Sequence, residues 1–249
     1  MSLLSVRGLS KQFGALRAVE DISLELAEGE LRAIIGPNGA GKTTFFNMIT
    51  GFFPPSQGSI HFGGADITAL PVAARVARGM ARTFQITEIF PELSVAENIR
   101  IGVESALGFR LRLFLRRDEK TIIADRIANV LGLVGLGGKA DRLVGELSHG
   151  DQRAAEIGMA LTLSPRILLL DEPTAGMGEQ ETFEIARLIR RLNRDEGYTV
   201  LLIEHDMRVV FNLADRISVL EQGRLLADGT PAEIAANQDV QSAYLGSAA

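Results

Sequence analysis

Three short runs of apolar residues stand out along the chain because they hardly alternate with polar residues. These runs are Leu31–Ile35, Ile167–Leu170 and Thr199–Ile203. A strand that is buried on both faces of a sheet shows this continuous pattern, whereas a strand with one face in water alternates. We therefore predict three buried strands in a parallel sheet that has helices on its faces.

Segments with helical periodicity lie between such runs. Four apolar residues recur at helical spacing, namely Ile185, Leu188, Ile189 and Leu192. Gly197 follows them as a helix stop, and Ser94–Glu97 and Thr230–Glu233 have the capping-box pattern of a helix start. The alternation of helical segments with short apolar strands predicts an α/β fold.

Two other parts of the chain have a different pattern. Near the N-terminus, short apolar segments separated by Gly, Pro and Asp predict antiparallel strands beside the main sheet, at Leu3–Val6, Ile22–Leu26 and Ser59–Phe62. Residues 86–150 are mostly helical in pattern and punctuated by glycines, which suggests an inserted helical subdomain. We thus expect one domain over 1–249, with a core and β subdomain formed by 1–85 and 151–249.

Composition narrows the possible functions of this chain of 249 residues. Its net charge of −5 provides no overall basic field, so we expect no nucleic-acid partner. It has no cysteine, which excludes disulfides and thiolate metal sites. It shows neither a signal peptide nor an apolar run of the ~20 residues needed to span a bilayer. We therefore expect any membrane role to depend on a partner chain.

A phosphate-binding loop follows the first predicted buried strand. The loop and the start of the next helix consist of Gly36, Pro37, Asn38, Gly39, Ala40, Gly41, Lys42, Thr43 and Thr44. Glycines let several backbone N–H groups approach one phosphate chain, and the helix N-terminus adds partial positive charge. Lys42 is expected to reach the β- and γ-phosphates, and the Thr43 hydroxyl to ligate Mg²⁺. The motif predicts nucleotide binding without specifying the enzyme.

Polar residues also follow the other two buried strands. Asp171 and Glu172 come after the second, and His205 comes shortly after the third. The carboxyl ends of parallel strands share one sheet edge, so these groups and the phosphate loop are expected to converge on one nucleotide. One carboxylate can then hold Mg²⁺ through water while its neighbour accepts a proton from the attacking water.

Together these elements resemble those of the ATP-binding cassette (ABC) ATPases. The segment Leu147–Arg153 is similar to the family's signature sequence, Gln85 matches its glutamine loop, and His205 matches its switch histidine. Phe13 falls at the position that stacks on adenine in the family, and residues 175–178 occupy the place of the D-loop. The resemblance implies a RecA-like core and Mg-ATP hydrolysis.

The resemblance also implies roles for individual residues and a dimer. Asp171 and Gln85 are expected to assist Thr43 at the metal, while Glu172 acts as the base together with His205 and Lys42. Each ATP is expected to lie between one subunit's phosphate loop and the signature of a partner ATPase, which is either a second copy or a related chain. In this arrangement, Ser148 and Gly150 would bind the γ-phosphate of the nucleotide held by the other subunit.

Three residues depart from the family pattern. His149 and Asp151 stand where Gly and Gln are commoner in the signature, and Gly178 replaces the usual Asp of the D-loop. An acid beside a triphosphate repels it unless the acid points away or is paired, and Arg153 is a candidate partner for Asp151. We expect these departures to tune activity without abolishing it.

Longer stretches resemble one branch of the family, the ATPases of importers for branched-chain and other hydrophobic amino acids. They include Lys42–Asn47, Arg82–Gln85, Leu202–Met207 and Asp228–Pro231. The branch implies integral membrane permeases, indirectly a substrate-binding protein, and a cytoplasmic position on the inner face of the membrane. Importers of urea or amides and a non-transport ABC ATPase stay open as alternatives. The basic and apolar segment 109–117 is interpreted as a solvated surface piece.

Overall fold

The computed structural model describes residues 2–83, 89–108 and 116–245. Among these residues the main sheet has six strands. In spatial order they are β10 (Arg224–Gly229), β9 (Arg216–Glu221), β3 (Leu31–Ile35), β8 (Thr199–Ile203), β7 (Ile167–Asp171) and β6 (Met80–Thr83). The strands from β9 to β6 run parallel to one another, and β10 is antiparallel to β9. The predicted strands β3, β8 and β7 are confirmed, and they lie side by side.

A second, antiparallel sheet of four strands is formed by the N-terminal residues. In spatial order its strands are β2 (Leu16–Ala27), β1 (Ser2–Phe13), β4 (Gln57–Phe62) and β5 (Ala65–Asp66). The pairing of β1 with β2 shifts register at several points, including between Val6 and Leu9. These irregularities interrupt the alternation of apolar and polar residues, so the sequence pattern predicted only the regular part of β1.

Nine α-helices occur among the described residues. They are α1 (Lys42–Thr50), α2 (Val72–Val76), α3 (Val95–Ala106), α4 (Arg117–Val134), α5 (His149–Leu161), α6 (Glu179–Arg194), α7 (Met207–Leu213), α8 (Pro231–Ala236) and α9 (Gln238–Leu245). Both predicted capping boxes are present, at the starts of α3 and α8. None of these helices, within the part of the chain described, is long and apolar enough to cross a membrane.

The main sheet separates two hydrophobic cores. In β3, Leu31, Ala33 and Ile35 face a core that includes residues of α3, α4, α5 and α6, whereas Ile34 faces a core shared with α1 and the antiparallel sheet. All five residues of this strand are buried. Burial on both faces explains its continuous apolar pattern.

The first three helices after β6 in the chain pack mainly on one another. α3, α4 and α5 are in mutual contact, and α5 also contacts α6 and β6. Thus α5 connects this helical group to the main sheet. The division of the chain at residues 86 and 150 stays a prediction.

Candidate active site

The loop between β3 and α1 has a backbone that only glycine fits at two positions. Gly36 has φ +148°, and a Cβ there would lie 2.1 Å from the carbonyl oxygen of Leu220. Gly41, which caps α1, has φ +94°, and its Cβ would lie 2.4 Å from the carbonyl oxygen of Ala18. These close approaches fix the loop's path against β2 and the end of β9. The N–H groups at the start of α1 are thereby presented at the edge of the sheet.

Lys42, the first residue of α1, folds back over this loop. Its Nζ donates to the carbonyl oxygens of Gly36 at 2.6 Å and Pro37 at 3.0 Å. Burial lowers the pKa of this ammonium, and the nearby Glu172 and Asp171 carboxylates oppose that shift. The ammonium is thus already held at the loop, between backbone carbonyls and two acids.

Glu172 and His205 are in direct contact at the ends of neighbouring strands. Oε1 of Glu172 lies 2.6 Å from Nε2 of His205. Glu172 has a left-handed backbone with φ +46°, which is strained for a residue other than glycine. Its N–H donates to the carbonyl oxygen of Ile203, the last residue of β8, at 3.0 Å. The strained turn lifts the carboxylate toward the histidine instead of letting it continue along β7.

Glu204 holds the backbone of His205, a role that the sequence motifs did not predict. Its side chain is almost completely buried, with 3% exposed. Oε2 accepts from the Thr174 hydroxyl at 2.8 Å, and Oε1 accepts from the backbone N–H of His205 at 2.9 Å. The only sequence signal was its place directly after a buried strand. Glu204 therefore connects the loop after Glu172 to the loop that carries His205.

Asp171 is held from a different direction by Arg82. The two form a buried ion pair, with Nη2 of Arg82 2.7 Å from Oδ2 of Asp171. Arg82 also donates to the side chains of Asn47, at 2.6 Å, and Thr50, at 3.2 Å, both in α1. One guanidinium therefore connects the end of β6, the helix after the phosphate loop and the carboxylate at the end of β7.

The phosphate loop, Glu172 and His205 border one cleft of about 500 Å³ at the carboxyl edge of the main sheet. It is lined by residues 38–44, Glu172 and His205, together with residues 16–18 and 222–223. This volume is in the range of sites for small ligands and cofactors. The expected convergence of the phosphate loop, the acidic strand end and His205 is present in the structure.

The signature residues lie elsewhere, at the N-terminus of α5. Ser148 caps this helix, with its Oγ accepting from the N–H of Asp151 at 3.2 Å. The N–H of Gly150 donates to Oε1 of Glu181 in α6 at 3.2 Å. Hydrogen bonds from the Gly150 N–H, and further ones from Gly178 and Ser148, lower the pKa of Glu181. A carboxylate of the same chain therefore occupies the anion-attracting end of this helix.

The predicted candidate partner of Asp151 is wrong. Asp151 forms an ion pair with Lys139, in the turn after α4. Arg153 points the other way, into the protein, where it pairs with Glu156. These two residues are two positions apart in α5, so their side chains leave the helix on different faces.

Comparisons with known proteins agree with the function that this site suggests. A model of the ABC transporter family matches residues 19–175, and a branched-chain amino acid ATP-binding cassette transporter model matches residues 224–249. The chain belongs to the ABC transporter ATPase family. It is 44% identical over 252 residues to the high-affinity branched-chain amino acid transport ATP-binding protein LivG of Salmonella typhimurium, covering 99% of this chain and 98% of LivG.

Solved ABC structures share the fold. The ADP conformation of MJ1267, an ATP-binding cassette of an ABC transporter, superposes with a TM-score of 0.87 at 28% identity and covers 99% of both chains. A dimeric post-hydrolysis state of the cassette MJ0796, bound to ADP and phosphate, gives a TM-score of 0.75 at 25% identity, covering 92% of this chain and 98% of that one. The predicted fold class, ATPase activity and similarity to the branched-chain amino acid branch are confirmed.

The donor groups of this ABC ATPase suit magnesium that is bound together with a nucleotide. No group of three or more His, Asp or Glu side chains in the described ranges could hold a metal alone. Mg²⁺ is commonly held by one or two protein groups together with substrate phosphates and water. The hydroxyl of Thr43, which lines the cleft, and the carboxylate of Asp171, which precedes the cleft residue Glu172 in the chain, are oxygen ligands of this kind.

Six of the predicted nucleotide contacts that the structure describes do not line the cleft, namely Phe13, Gly36, Pro37, Ser148, Gly150 and Asp171. Ser148 and Gly150 lie at the start of α5, and Gln85 lies outside the described residues. The Phe13 ring packs edge-on against Phe53, with centroids 5.4 Å apart, and it does not line the cleft. The adenine role of Phe13 stays a prediction. Of segment 109–117, only residues 116 and 117 are described, and both are exposed.

Proposed function

We propose that this chain hydrolyses ATP to drive uptake of branched-chain or other hydrophobic amino acids through separate integral membrane permeases. It would lie in the cytoplasm on the inner face of the membrane, with a substrate-binding protein acting on the far side. The observation that carries the proposal is the similarity to LivG over nearly the whole of both chains. The match of the C-terminal residues to a model specific for branched-chain amino acid transporters supports the same branch.

We infer a role for each group at or near the cleft from its position and chemistry. The N–H groups around Gly39 and Gly41 would hold the phosphates, and Lys42 would leave the loop carbonyls to bind the β- and γ-phosphates. Thr43 and Asp171 would hold Mg²⁺, which supplies positive charge where negative charge develops on the transferred phosphoryl group. Glu172 would accept the proton of the attacking water, and His205 would hold Glu172 in place.

The second half of the ATP site would come from a partner subunit. Ser148 and Gly150 do not line the chain's own cleft, and they lie at the N-terminus of α5, where an anion is stabilised. The γ-phosphate of a nucleotide bound to the partner would replace Glu181 as the acceptor of the Gly150 N–H. ATP would then favour the closed dimer because these contacts exist only in that state.

Transport by the reconstituted complex tests this proposal. The chain would be expressed with its cognate permeases and binding protein, placed in liposomes, and supplied with Mg-ATP on the cytoplasmic side. We expect ATP-dependent uptake of labelled leucine that unlabelled isoleucine and valine reduce, and no uptake with Glu172→Gln. Uptake of urea in place of leucine, or the absence of any permease that copurifies with the chain, would contradict the proposal.

A further inference from the structure

Arg153 reaches from the signature helix to the backbone that carries Glu172. Its Nε donates to the carbonyl oxygen of Pro173 at 3.0 Å. Its Nη2 donates to the carbonyl oxygens of Glu172 at 2.8 Å and Asp171 at 3.4 Å. One buried guanidinium, 8% exposed, therefore binds three consecutive carbonyls at the end of β7.

This contact acts on the strained part of the site. Glu172 has φ +46°, a conformation that persists only where the surroundings hold it. Its N–H is fixed by the carbonyl of Ile203 and its carbonyl is bound by Arg153. The peptide groups on both sides of the Glu172 Cα are therefore restrained, and the direction of its carboxylate toward His205 is set by this restraint.

Arg153 is itself held in place within α5. Its Nη1 forms an ion pair with the buried Glu156, one turn further along the helix. The planar guanidinium offers donors in a fixed fork, which a lysine ammonium does not reproduce. Ser148, the cap of α5, lies five residues before Arg153 along the same helix, so a displacement of the signature turn must displace Arg153.

We propose that Arg153 is a positioning residue that makes the placement of the Glu172 carboxylate depend on how the signature helix is seated. This inference rests on the proposed function in one respect, since it takes the signature turn to bind the partner's nucleotide. Hydrolysis in one cleft is then sensitive to the occupancy of the other, because α5 contacts one nucleotide and Arg153 sets the base that acts on the second.

The first test compares two buried arginines that both bind backbone carbonyls. Arg75 donates to carbonyl oxygens of Met48, Ile49 and Leu70, away from Glu172, and therefore serves as a matched control. We expect Arg153→Lys to lower kcat about tenfold and Arg153→Met about a hundredfold, since misplacing a reacting group by ~1 Å costs about this much. The KM for ATP should stay within about twofold. Arg75→Lys should lower the Tm but leave the kcat of the folded protein unchanged.

Two results would overturn the positioning role. One is a wild-type kcat in folded Arg153→Lys and Arg153→Met proteins. The other is a fall of kcat and ATP affinity by the same factor in the Arg153 variants, in proportion to their loss of Tm, which would indicate a general loss of folded structure. A wild-type protein without ATPase activity would instead contradict the proposed function.

A double-mutant cycle with Ser148→Ala tests the connection to the signature turn. If Arg153 relays the position of this turn, the loss of kcat in Ser148→Ala combined with Arg153→Met should be close to that of the slower single variant. Multiplicative losses would mean that the two residues act independently and would overturn the relay. All four proteins are compared at saturating Mg-ATP, with Tm values measured alongside.

Discussion

The nucleotide cleft and the signature turn differ in how complete each one is in the folded single chain. In the cleft, Lys42, Glu172 and His205 already lie together, and Glu172 touches His205. At the signature turn, Ser148 is exposed and the N–H of Gly150 is occupied by Glu181 of the same chain. In the first region the groups are already assembled and only Lys42 must leave its loop carbonyls, whereas the second must release a carboxylate of its own chain before it can bind an external anion.

The difference follows from the elements that build each region. The cleft is built on the ends of adjacent strands β3, β8 and β7, whose relative positions are fixed by ladder hydrogen bonds and by cores on both faces. The signature turn is the end of one helix, and N–H groups at a helix start donate to whichever anion is nearest, here the Glu181 carboxylate. A site of the second kind suits a contact that forms and breaks during turnover.

The largest expected effect is that of removing the proposed base from the completed region. Glu172→Gln should lower kcat about 10²–10⁴-fold, because general-base catalysis is typically worth that much, while ATP binding is kept. The variant should also accumulate as an ATP-bound dimer, detected by gel filtration with ATP. Glu179→Gln is the control, since Glu179 is exposed and pairs with Arg208. Unchanged steady-state hydrolysis in Glu172→Gln would contradict the base assignment.

Removing the positive charge of Lys42 should weaken ATP binding more than it slows hydrolysis of bound ATP. Lys42→Ala should raise the Kd for Mg-ATP about 10–100-fold, because a hydrogen bond to a charged group contributes about 1.5–3 kcal/mol. Isothermal titration calorimetry measures this directly. Lys120→Ala, at an exposed position of α4, is the matched charge deletion. An unaltered ATP affinity in Lys42→Ala would count against the phosphate-binding role of the loop.

A substitution in the signature turn should have the opposite effect, because it should slow hydrolysis without weakening ATP binding. Ser148→Ala should lower kcat but leave the ATP affinity of the isolated subunit unchanged. It also removes an N-cap, which costs about 1 kcal/mol of folding stability. Ser94→Ala removes the same type of cap from α3 and should destabilise the protein similarly without lowering kcat. Equal kcat losses in the two variants would mean that Ser148 acts only through stability.

The cleft was predictable from sequence because its determinants are local. A continuous apolar run predicts a strand buried on both faces, and the residue after that run must lie at the sheet edge. This reasoning predicts that Lys42, Glu172 and His205 lie together, and all three line the same cleft. It could equally have marked Glu204, which occupies the same kind of position but was overlooked beside the histidine.

The contacts around α5 were not predictable in this way. Gly150 and Glu181 are separated by 31 positions in sequence, and Arg82 and Asp171 by 89. Such pairs depend on how helices and strands are oriented in the folded chain, which periodicity does not specify. Choosing Arg153 as the partner of Asp151 failed for a different reason, because residues two positions apart leave a helix on different faces, and helical spacing alone excludes the pair.

The smallest expected effect concerns Asp151, the unusual acid beside the signature turn. Its pairing with Lys139 draws the carboxylate toward α4 and partly neutralises its charge near the place where a γ-phosphate would bind. Asp151→Gln should therefore lower the free energy of unfolding by less than about 1 kcal/mol, the usual range for a partly exposed ion pair. Hydrolysis should stay unchanged or rise, because one negative charge near the phosphate is removed.

Lys139→Gln separates the two roles of this pair, because it leaves Asp151 charged and unpartnered by Lys139. We expect it to cost similar stability in a urea titration but to lower the apparent ATP affinity of the dimer, in contrast to Asp151→Gln. The two variants should thus lose similar free energies of unfolding, but only Lys139→Gln should lower the apparent ATP affinity. A loss of hydrolysis in Asp151→Gln would show that the carboxylate of Asp151 contributes to turnover directly. The proposed γ-phosphate contacts, made by Ser148 and Gly150, would then be an incomplete account of the signature turn.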